Sequence, residues 1–413
     1  MQNIFIQLLS KRKLKQYSNK IMESKPPYSL FALIKYFLKL GSTGFGGPVA
    51  LVGYMHKDLV ENKKWISEDE YKQGLALAQL APGPLAAQLG IYLGFVHHRL
   101  IGATLAGLAF IIPSFIMVVL LGIAYKLFGG LPWMQAIFYG VGAAVIGIII
   151  ISSYKLTVKS IGKLNIQSFK TNWLLWLFFV VAAVITFITQ QENILLFIGA
   201  GILYMLVKAP PKFSKNKLAS AFILLQIGFW DFQYSTLQKI AIFFTKAGAF
   251  VFGSGLAIVP FLHSGVVNEY HWLTEQQFVD AVAVAMITPG PVVITVGFIG
   301  YLVAGFPGAC VAALATFLPC YLFTVIPAPY FHKIAKNRPI KAFVDGITAA
   351  VVGALVGAAI IIAQRTIVHN NTVDFVAIAI AACTVLTLLY VKKIQEPYII
   401  AAAAVAGIIL KML

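Results

Sequence analysis

The chain has 413 residues, 60% of them apolar and only 11% charged, with a formal charge of +18. Soluble domains carry about 25% charged residues, so this composition argues against a soluble enzyme and for a polytopic membrane protein. The Lys and Arg residues fall in short runs between apolar stretches rather than along one face. That distribution excludes a nucleic-acid partner and fits cytoplasmic loops beside an anionic lipid bilayer.

The first 28 residues open with "MQNIFIQLLSKRKLKQ", an apolar run too short for a signal peptide and with its charges on the wrong side. They are expected to be a cytoplasmic lead-in. Apolar segments follow at 29–58, 73–97, 100–125, 133–154, 173–189 and 193–207. A polar linker, "KAPPKFSKNK", precedes a shorter segment at 218–235. Six more segments lie at 237–263, 278–302, 305–326, 340–363, 373–391 and 397–412. All read as helices, because only helices or closed barrels satisfy the backbone in lipid and these runs are too long for barrel strands. The expected fold class is an all-α polytopic membrane protein. Its units are a lead-in (1–28), a first repeat (29–207), a linker with an extra crossing helix (208–236) and a second repeat (237–413).

The repeats are visible by direct comparison. A shift of 207 residues puts Lys39 on Lys246, Gly41 on Gly248, Gly46 on Gly253, His56 on His263 and Trp65 on Trp272. The same shift puts Pro82–Gly83–Pro84 on Pro289–Gly290–Pro291. After a slip of one residue, Pro113 falls on Pro319 and Gly147 on Gly353. Loop charges give the orientation. Lys155, Lys159, Lys163 and Lys170 follow the fourth segment of the first half, whereas Lys333, Lys336, Arg338 and Lys341 follow the third segment of the second. Were the segment at 218–235 to lie flat, the repeats would be parallel. Basic loops face the cytoplasm, so the two repeats read as inverted, with that segment supplying the odd crossing. The N-terminus is then cytoplasmic, 57–72 outside, 264–277 inside and the C-terminus outside, in the cell's inner membrane.

Glycine and proline clusters interrupt the apolar runs at matching places. Gly costs roughly 1 kcal/mol and Pro roughly 3 kcal/mol inside a helix, and a broken helix in lipid exposes amides that need partners. A half-helix N-terminus is also an anion site, and paired broken helices near the midplane are a transporter design. The candidate substrate-binding residues are therefore Ser42, Thr43, Gly44, Phe45, Gly46, Gly47 and Pro48 with Pro82, Gly83 and Pro84. Their partners are Phe252, Gly253, Ser254 and Gly255 with Thr288, Pro289, Gly290 and Pro291. Lys39 and Lys246 either neutralise a dianion or snorkel to an interface. His56 and His263 are either proton-coupling groups or interfacial histidines. Asp280 and Asp345 are the acids nearest apolar helices, and Asp280 is a further candidate for proton coupling.

Ser67 and Thr274 read as helix N-caps and Trp65 and Trp272 as interfacial anchors. Cys310, Cys320 and Cys383 fit neither a zinc site nor a redox pair, and no catalytic motif is present. No cofactor and no metal are expected, and the chain is not expected to be an enzyme.

The stretch from "GSTGFGGPVALVGYMHKDLVENKKW" through "LAPGPLAAQLGIYLG", with its partner "FTKAGAFVFGSGLAIVPFLHSGVVNEYHW" through "ITPGPVVITVGFIGY", resembles the chromate ion transporter (CHR) family. The resemblance covers most of 30–410 and is that of a long-chain, two-domain member. It implies a secondary transporter that exports chromate and confers chromate resistance, with sulfate as the similar anion. An anion channel, a transporter of sulfate or another oxyanion, and a lipid-handling enzyme or scramblase stay open, as does oligomeric state, with a homodimer one candidate.

Overall fold

The computed structural model describes residues 27–191, 193–210, 235–251, 255–331, 337–369, 372–391, 394 and 396–412. Helices α1 (Leu30–Thr43) and α2 (Gly47–Met55), the latter continued by a π-helical stretch His56–Asn62, are joined at Gly44–Gly46. Tyr28 at the start of this pair stacks on Trp65 at its end, with ring centroids 4.8 Å apart. The chain therefore enters and leaves by the same face. Fourteen residues of helix rise about 21 Å, short of the roughly 30 Å hydrocarbon core, so α1 reaches only part-way across.

The next pair does the same. Helix α3 (Glu68–Leu80) ends at the Pro82–Gly83–Pro84 turn, and α4 (Leu85–Phe128) begins there. Gly74 lies against the Tyr92 ring, and His97 sits 3.4 Å from Glu70, so the first part of α4 runs back beside α3. At Arg99 (φ 54°, ψ −142°) the chain reverses again. Gly94 and Gly102 abut backbone to backbone, although eight residues of continuous helix would separate them by about 12 Å. Only glycine at both positions allows that approach. The remainder of α4 and α5 (Pro132–Ser160) are long and apolar enough to cross the membrane, and the shorter apolar helices α7 (Trp173–Thr189) and α8 (Ile194–Lys208) follow, with a short α6 (Ile166–Thr171) before α7.

The second half repeats this plan. Helix α9 (Thr236–Ala249) leads to its glycine break, then to α10 (Val259–His263) and a π-helical stretch Ser264–Glu269. Helix α11 (Glu275–Ile287) ends at the second Pro-Gly-Pro turn, and α12 (Thr295–Val325) reverses at Gly305, where Gly300 meets Gly308. Helices α13 (Arg338–Ile367), α14 (Phe375–Tyr390) and α15 (Glu396–Met412) complete it, with a two-residue β-ribbon, Val368–His369 against Thr372–Val373, before α14. Among the described residues, four helical stretches are long and apolar enough to cross a membrane: Leu85–Phe128, Pro132–Ser160, Val292–Tyr330 and Arg338–Ile367.

The inversion is geometric. Thr104 meets Tyr321 through their hydroxyls at 2.8 Å, and Phe115 meets Phe306. As one number rises the other falls, so the equivalent stretches of α4 and α12 are antiparallel. The halves also exchange their last helices. Gly140 and Gly147 of α5 pack on Ala403 of α15 and Ala381 of α14, while Gly346 and Gly353 of α13 pack on Ala200 of α8 and Phe179 of α7. The four glycines correspond in pairs under a shift of 206, and their partners lie on equivalent helices.

Two topological expectations are corrected. The stretches 29–58 and 73–97, and their counterparts, are re-entrant hairpins instead of crossings. Consequently 57–72 lie on the Tyr28 face, and 264–277 lie on the opposite face, where Arg365 bonds Asn268. Hydropathy carries no direction, so an apolar run that turns back at a Gly/Pro tip reads like one that goes through. The C-terminus lies on the face opposite Tyr28: Lys411 sits over the Tyr139 ring, 4.4 Å away at the start of α5. The extra crossing expected over 218–235 lies outside the described residues up to Tyr234. The lead-in lies outside them to Pro26.

Ser67 and Thr274 cap α3 and α11 with full capping boxes, as their sequences imply. Trp272 stacks on Tyr270 at 4.5 Å. Cys320 is buried and Cys383 exposed.

Candidate functional site

Four hairpin tips from two opposite faces meet inside the molecule. The amide of Gly83 donates to Val251 O at 2.5 Å, and the amide of Gly290 donates to Gly44 O at 2.9 Å. The two bonds are images of each other under the 207-residue shift. Each Pro-Gly-Pro turn of one repeat is thus hydrogen-bonded to the glycine break of the other. Gly83 (φ 141°) and Gly290 (φ 99°) adopt positive φ, which L side chains avoid. Their surroundings are tight as well. A Cβ on Gly83 would lie 2.7 Å from the Gln88 amide nitrogen, and one on Gly290 would overlap the Ser114 hydroxyl.

Most helix starts at the surface are capped by a side chain, although those of α5 at Leu131 and α7 at Asn172 are not. At the rim, Ser29, Ser67, Asn165, Asn193, Ser235, Thr274 and Asp374 each accept hydrogen bonds from the first-turn amides. At the tips, α2 begins at Gly46, α4 at Pro84 and the 3₁₀ turn Val292–Ile294 at Pro291, all without a side-chain cap. Their first-turn amides lack a side-chain acceptor, and the helix dipoles there favour negative charge.

The expected site residues are distributed as follows. Gly44, Gly83, Pro84, Pro289, Gly290 and Pro291 are buried at the crossing, and Gly255 is buried against Val292. Phe45, Gly46, Gly47, Pro48 and Pro82 are partly buried beside it. Phe252, Gly253 and Ser254 lie outside the described residues. The hydroxyls of Ser42, Thr43 and Thr288 donate to Leu38 O, Lys39 O and Val284 O, one turn back in their own helices. Lys39 and Lys246 are exposed, off the helix faces that bury Phe37 with Gly41 and Phe244 with Gly248.

The two histidines form matching pairs: His56 with Glu68 at 2.9 Å and His263 with Glu275 at 2.7 Å. Only the second is buried and clamped, because Arg365 of α13 also bonds Glu275 and the side chain of Gln190. Asp280 is buried, accepting from the Tyr125 hydroxyl at 2.6 Å and from Gln276 at 2.8 Å. At the rim, burial opposes the charge of Glu70. The hydrogen bonds from His97 and from the Ser67 hydroxyl and amide overcome it, holding the carboxyl down at about 2.

Sequence reasoning missed Ser114, whose hydroxyl donates to Gly41 O, and Gln88, fully buried, whose amide nitrogen donates to Pro82 O at 2.8 Å. A signal existed for Ser114: it matches Cys320 under the 206 shift, and both pack on a Pro-Gly-Pro glycine.

Two clefts approach the crossing from opposite faces. The one on the Tyr28 face, about 340 Å³, is lined by Leu80 and Leu85, which flank the first Pro-Gly-Pro turn, and by α5 and α13. The opposite one, about 510 Å³, is lined by Thr274, Gln276, Gln277 and Asp280 at the start of α11. From Asp280 to the turn at Thr288 is eight residues, or about 12 Å of helix. The first cleft reaches its tip and the second stops short of one.

The model of the Chromate transporter family matches the chain twice, over 31–205 and 238–408. The chain belongs to the chromate transporter family. Among similar proteins, a chromate transport protein of Cupriavidus metallidurans is 60% identical over 94% of this chain and 95% of its own length. A probable chromate transport protein of Synechococcus elongatus is 56% identical over 95% and 98%. An uncharacterised transporter of Bacillus subtilis is 30% identical over 45% of this chain and 93% of itself, about the size of one repeat. No solved structure matches. Family membership makes the protein a membrane transporter.

Proposed function

We propose that this protein is a secondary transporter that exports chromate, a tetrahedral dianion, through the crossed hairpin tips. The observation that carries the reading is that the starts of α2, α4 and the 3₁₀ turn Val292–Ile294 meet inside the molecule without a side-chain cap. An oxyanion supplies the missing acceptors, as anions do at other helix N-termini. The names of the relatives from Cupriavidus metallidurans and Synechococcus elongatus supply the substrate.

Alternating access follows from the inverted repeats. The cleft on the Tyr28 face reaches its tip while the opposite one does not, and exchanging the conformations of the two repeats would reverse this. Lys155, Lys159, Lys163, Lys170, Arg338 and Lys341 crowd the Tyr28 side, which supports a cytoplasmic placement for that face and the N-terminus in the inner membrane. A dianion leaving down 100 mV gains about 4.6 kcal/mol, twice the single-charge figure, enough for export over about three orders of magnitude. Lys39 and Lys246 stand a little over one turn before the tips and add positive charge on the approach. His56, His263 and Asp280 are the groups available for proton coupling.

The test is radiolabelled chromate and sulfate flux in proteoliposomes under an imposed potential. Potential-driven chromate flux is expected, slowed in the Lys39→Ala/Lys246→Ala double variant. Flux retained in that variant would remove the lysines from the mechanism. Folded wild-type protein that moves neither anion would refute the transporter reading.

A further inference from the structure

The cleft on the Tyr28 face holds a feature that the tips do not explain. Its walls carry Lys159 and Ser160 from the end of α5 and Lys341, Asp345 and Thr348 from the start of α13, above Leu80 and Leu85. Neither lysine has an ion-pair partner within 4 Å among the described residues, and both side chains are exposed to the cleft mouth. Asp345, one turn along α13 from Lys341, is the single acid in the lining.

Pseudo-symmetry makes the arrangement informative. Under the 206 shift Lys159 corresponds to Arg365, Lys341 to Gln135 and Asp345 to Tyr139. Arg365 is bound to Glu275, Gln190 and Asn268. Gln135 and Tyr139 line the opposite cleft beside Asp280, where Lys411 rests over the Tyr139 ring. One cleft therefore offers two unpaired cations at its mouth. In the other the equivalent positions are neutral or already paired. Position in the fold alone would give the two clefts the same charge, so the difference belongs to the sequence.

The cleft is also large for a dry binding site. A volume of about 340 Å³ has room for an anion with several waters, each occupying roughly 30 Å³. Dehydration is then deferred to the tip, where free amides replace the water. Like charges facing each other across a cleft repel unless an anion sits between them, and a low-dielectric wall focuses their field.

We infer that Lys159 and Lys341 form a capture site for a hydrated tetrahedral oxyanion dianion on the Tyr28 face, separate from the tips and feeding them. Asp345 opposes capture and limits how tightly the ion is held. This site rests on the transporter reading above, but its failure is distinguishable from that reading's failure.

The experiment is initial-rate chromate flux in vesicles of both orientations, over a range of chromate concentrations. For Lys159→Gln/Lys341→Gln, KM for chromate presented to the Tyr28 face is expected to rise about tenfold with maximal rate within about twofold, while KM at the opposite face stays put. Lys159→Arg/Lys341→Arg is expected to keep the wild-type KM. Asp345→Asn is expected to lower KM about twofold on the Tyr28 face only, an effect that damage to the fold does not produce. An unchanged KM in either charge variant, or equal changes on both faces, overturns the capture site while leaving transport through the tips intact. Wild-type vesicles without chromate flux overturn both.

Discussion

Replacing Gly290 by alanine tests the crossing directly. Its φ of 99° costs a Cβ-bearing residue about 1–2 kcal/mol or more. The new methyl group would overlap the Ser114 hydroxyl and lie 3.3 Å from Gly41 O, and overpacking of this kind costs about 1–3 kcal/mol. The expected total is about 2–5 kcal/mol. The amide of Gly290 also joins the repeats through Gly44 O, so the damage falls on the tips. Thermal unfolding of the detergent-solubilised protein, with and without chromate, reads both effects. The midpoint should fall, and protection by chromate should shrink. Saturating ligand at one hundred times Kd stabilises by about 2.7 kcal/mol when binding is intact. Ser114→Ala alone should cost about 1 kcal/mol for its hydrogen bond to Gly41 O. Combined with Gly290→Ala it should recover about 1–3 kcal/mol, because the overlapping oxygen is gone. A Gly290→Ala protein as stable and as well protected as wild type would refute the argument. So would a double variant with strictly additive losses.

Gly102→Val should abolish accumulation of folded protein, because Gly94 meets it backbone to backbone, whereas Gly130→Val, in open space, should be tolerated; size-exclusion profiles in detergent compare them. Arg365→Ala should cost about 1–3 kcal/mol by leaving the buried His263–Glu275 pair without its clamp, against about 0.5 kcal/mol for His56→Ala at the more exposed counterpart; the two melting curves decide it. Glu70 titrates lower folded than unfolded, so its contribution is present above the ordinary carboxylate range and is lost as pH falls toward about 2. Glu70→Gln should therefore lower stability at pH 7 by about 1 kcal/mol, discounted for partial exposure, and the gap to wild type should close progressively below pH 4.5. Equal gaps at pH 7 and pH 3 would contradict that assignment.

Much of this protein can be read from its residues in order. Long apolar runs force helices in lipid, and the match of Lys39 with Lys246 and of Pro82–Pro84 with Pro289–Pro291 exposes the duplication. The reversed order of basic loops gives its inversion, and Ser67 and Thr274 announce helix starts by their own chemistry. Each of these is local, or depends only on comparing the chain with itself.

What sequence could not reveal was where the chain turns back. Gly44–Gly46 and Pro82–Pro84 mark breaks, but a break inside an apolar run has the same hydropathy whether the chain continues or reverses. Only Tyr28 stacked on Trp65, and Gly94 against Gly102, show that it reverses. The bond from Gly83 to Val251 joins residues 168 positions apart, the difference between 251 and 83, and the exchange of α7 and α8 for α14 and α15 joins whole repeats. No periodicity encodes such pairings, because they arise from packing two inverted hairpin sets into one interior. Sequence by itself determined that this protein carries duplicated, inverted and broken helices. Tertiary structure decided that the breaks are hairpin tips meeting from opposite faces, because helices too short to cross can satisfy their ends only by packing against each other.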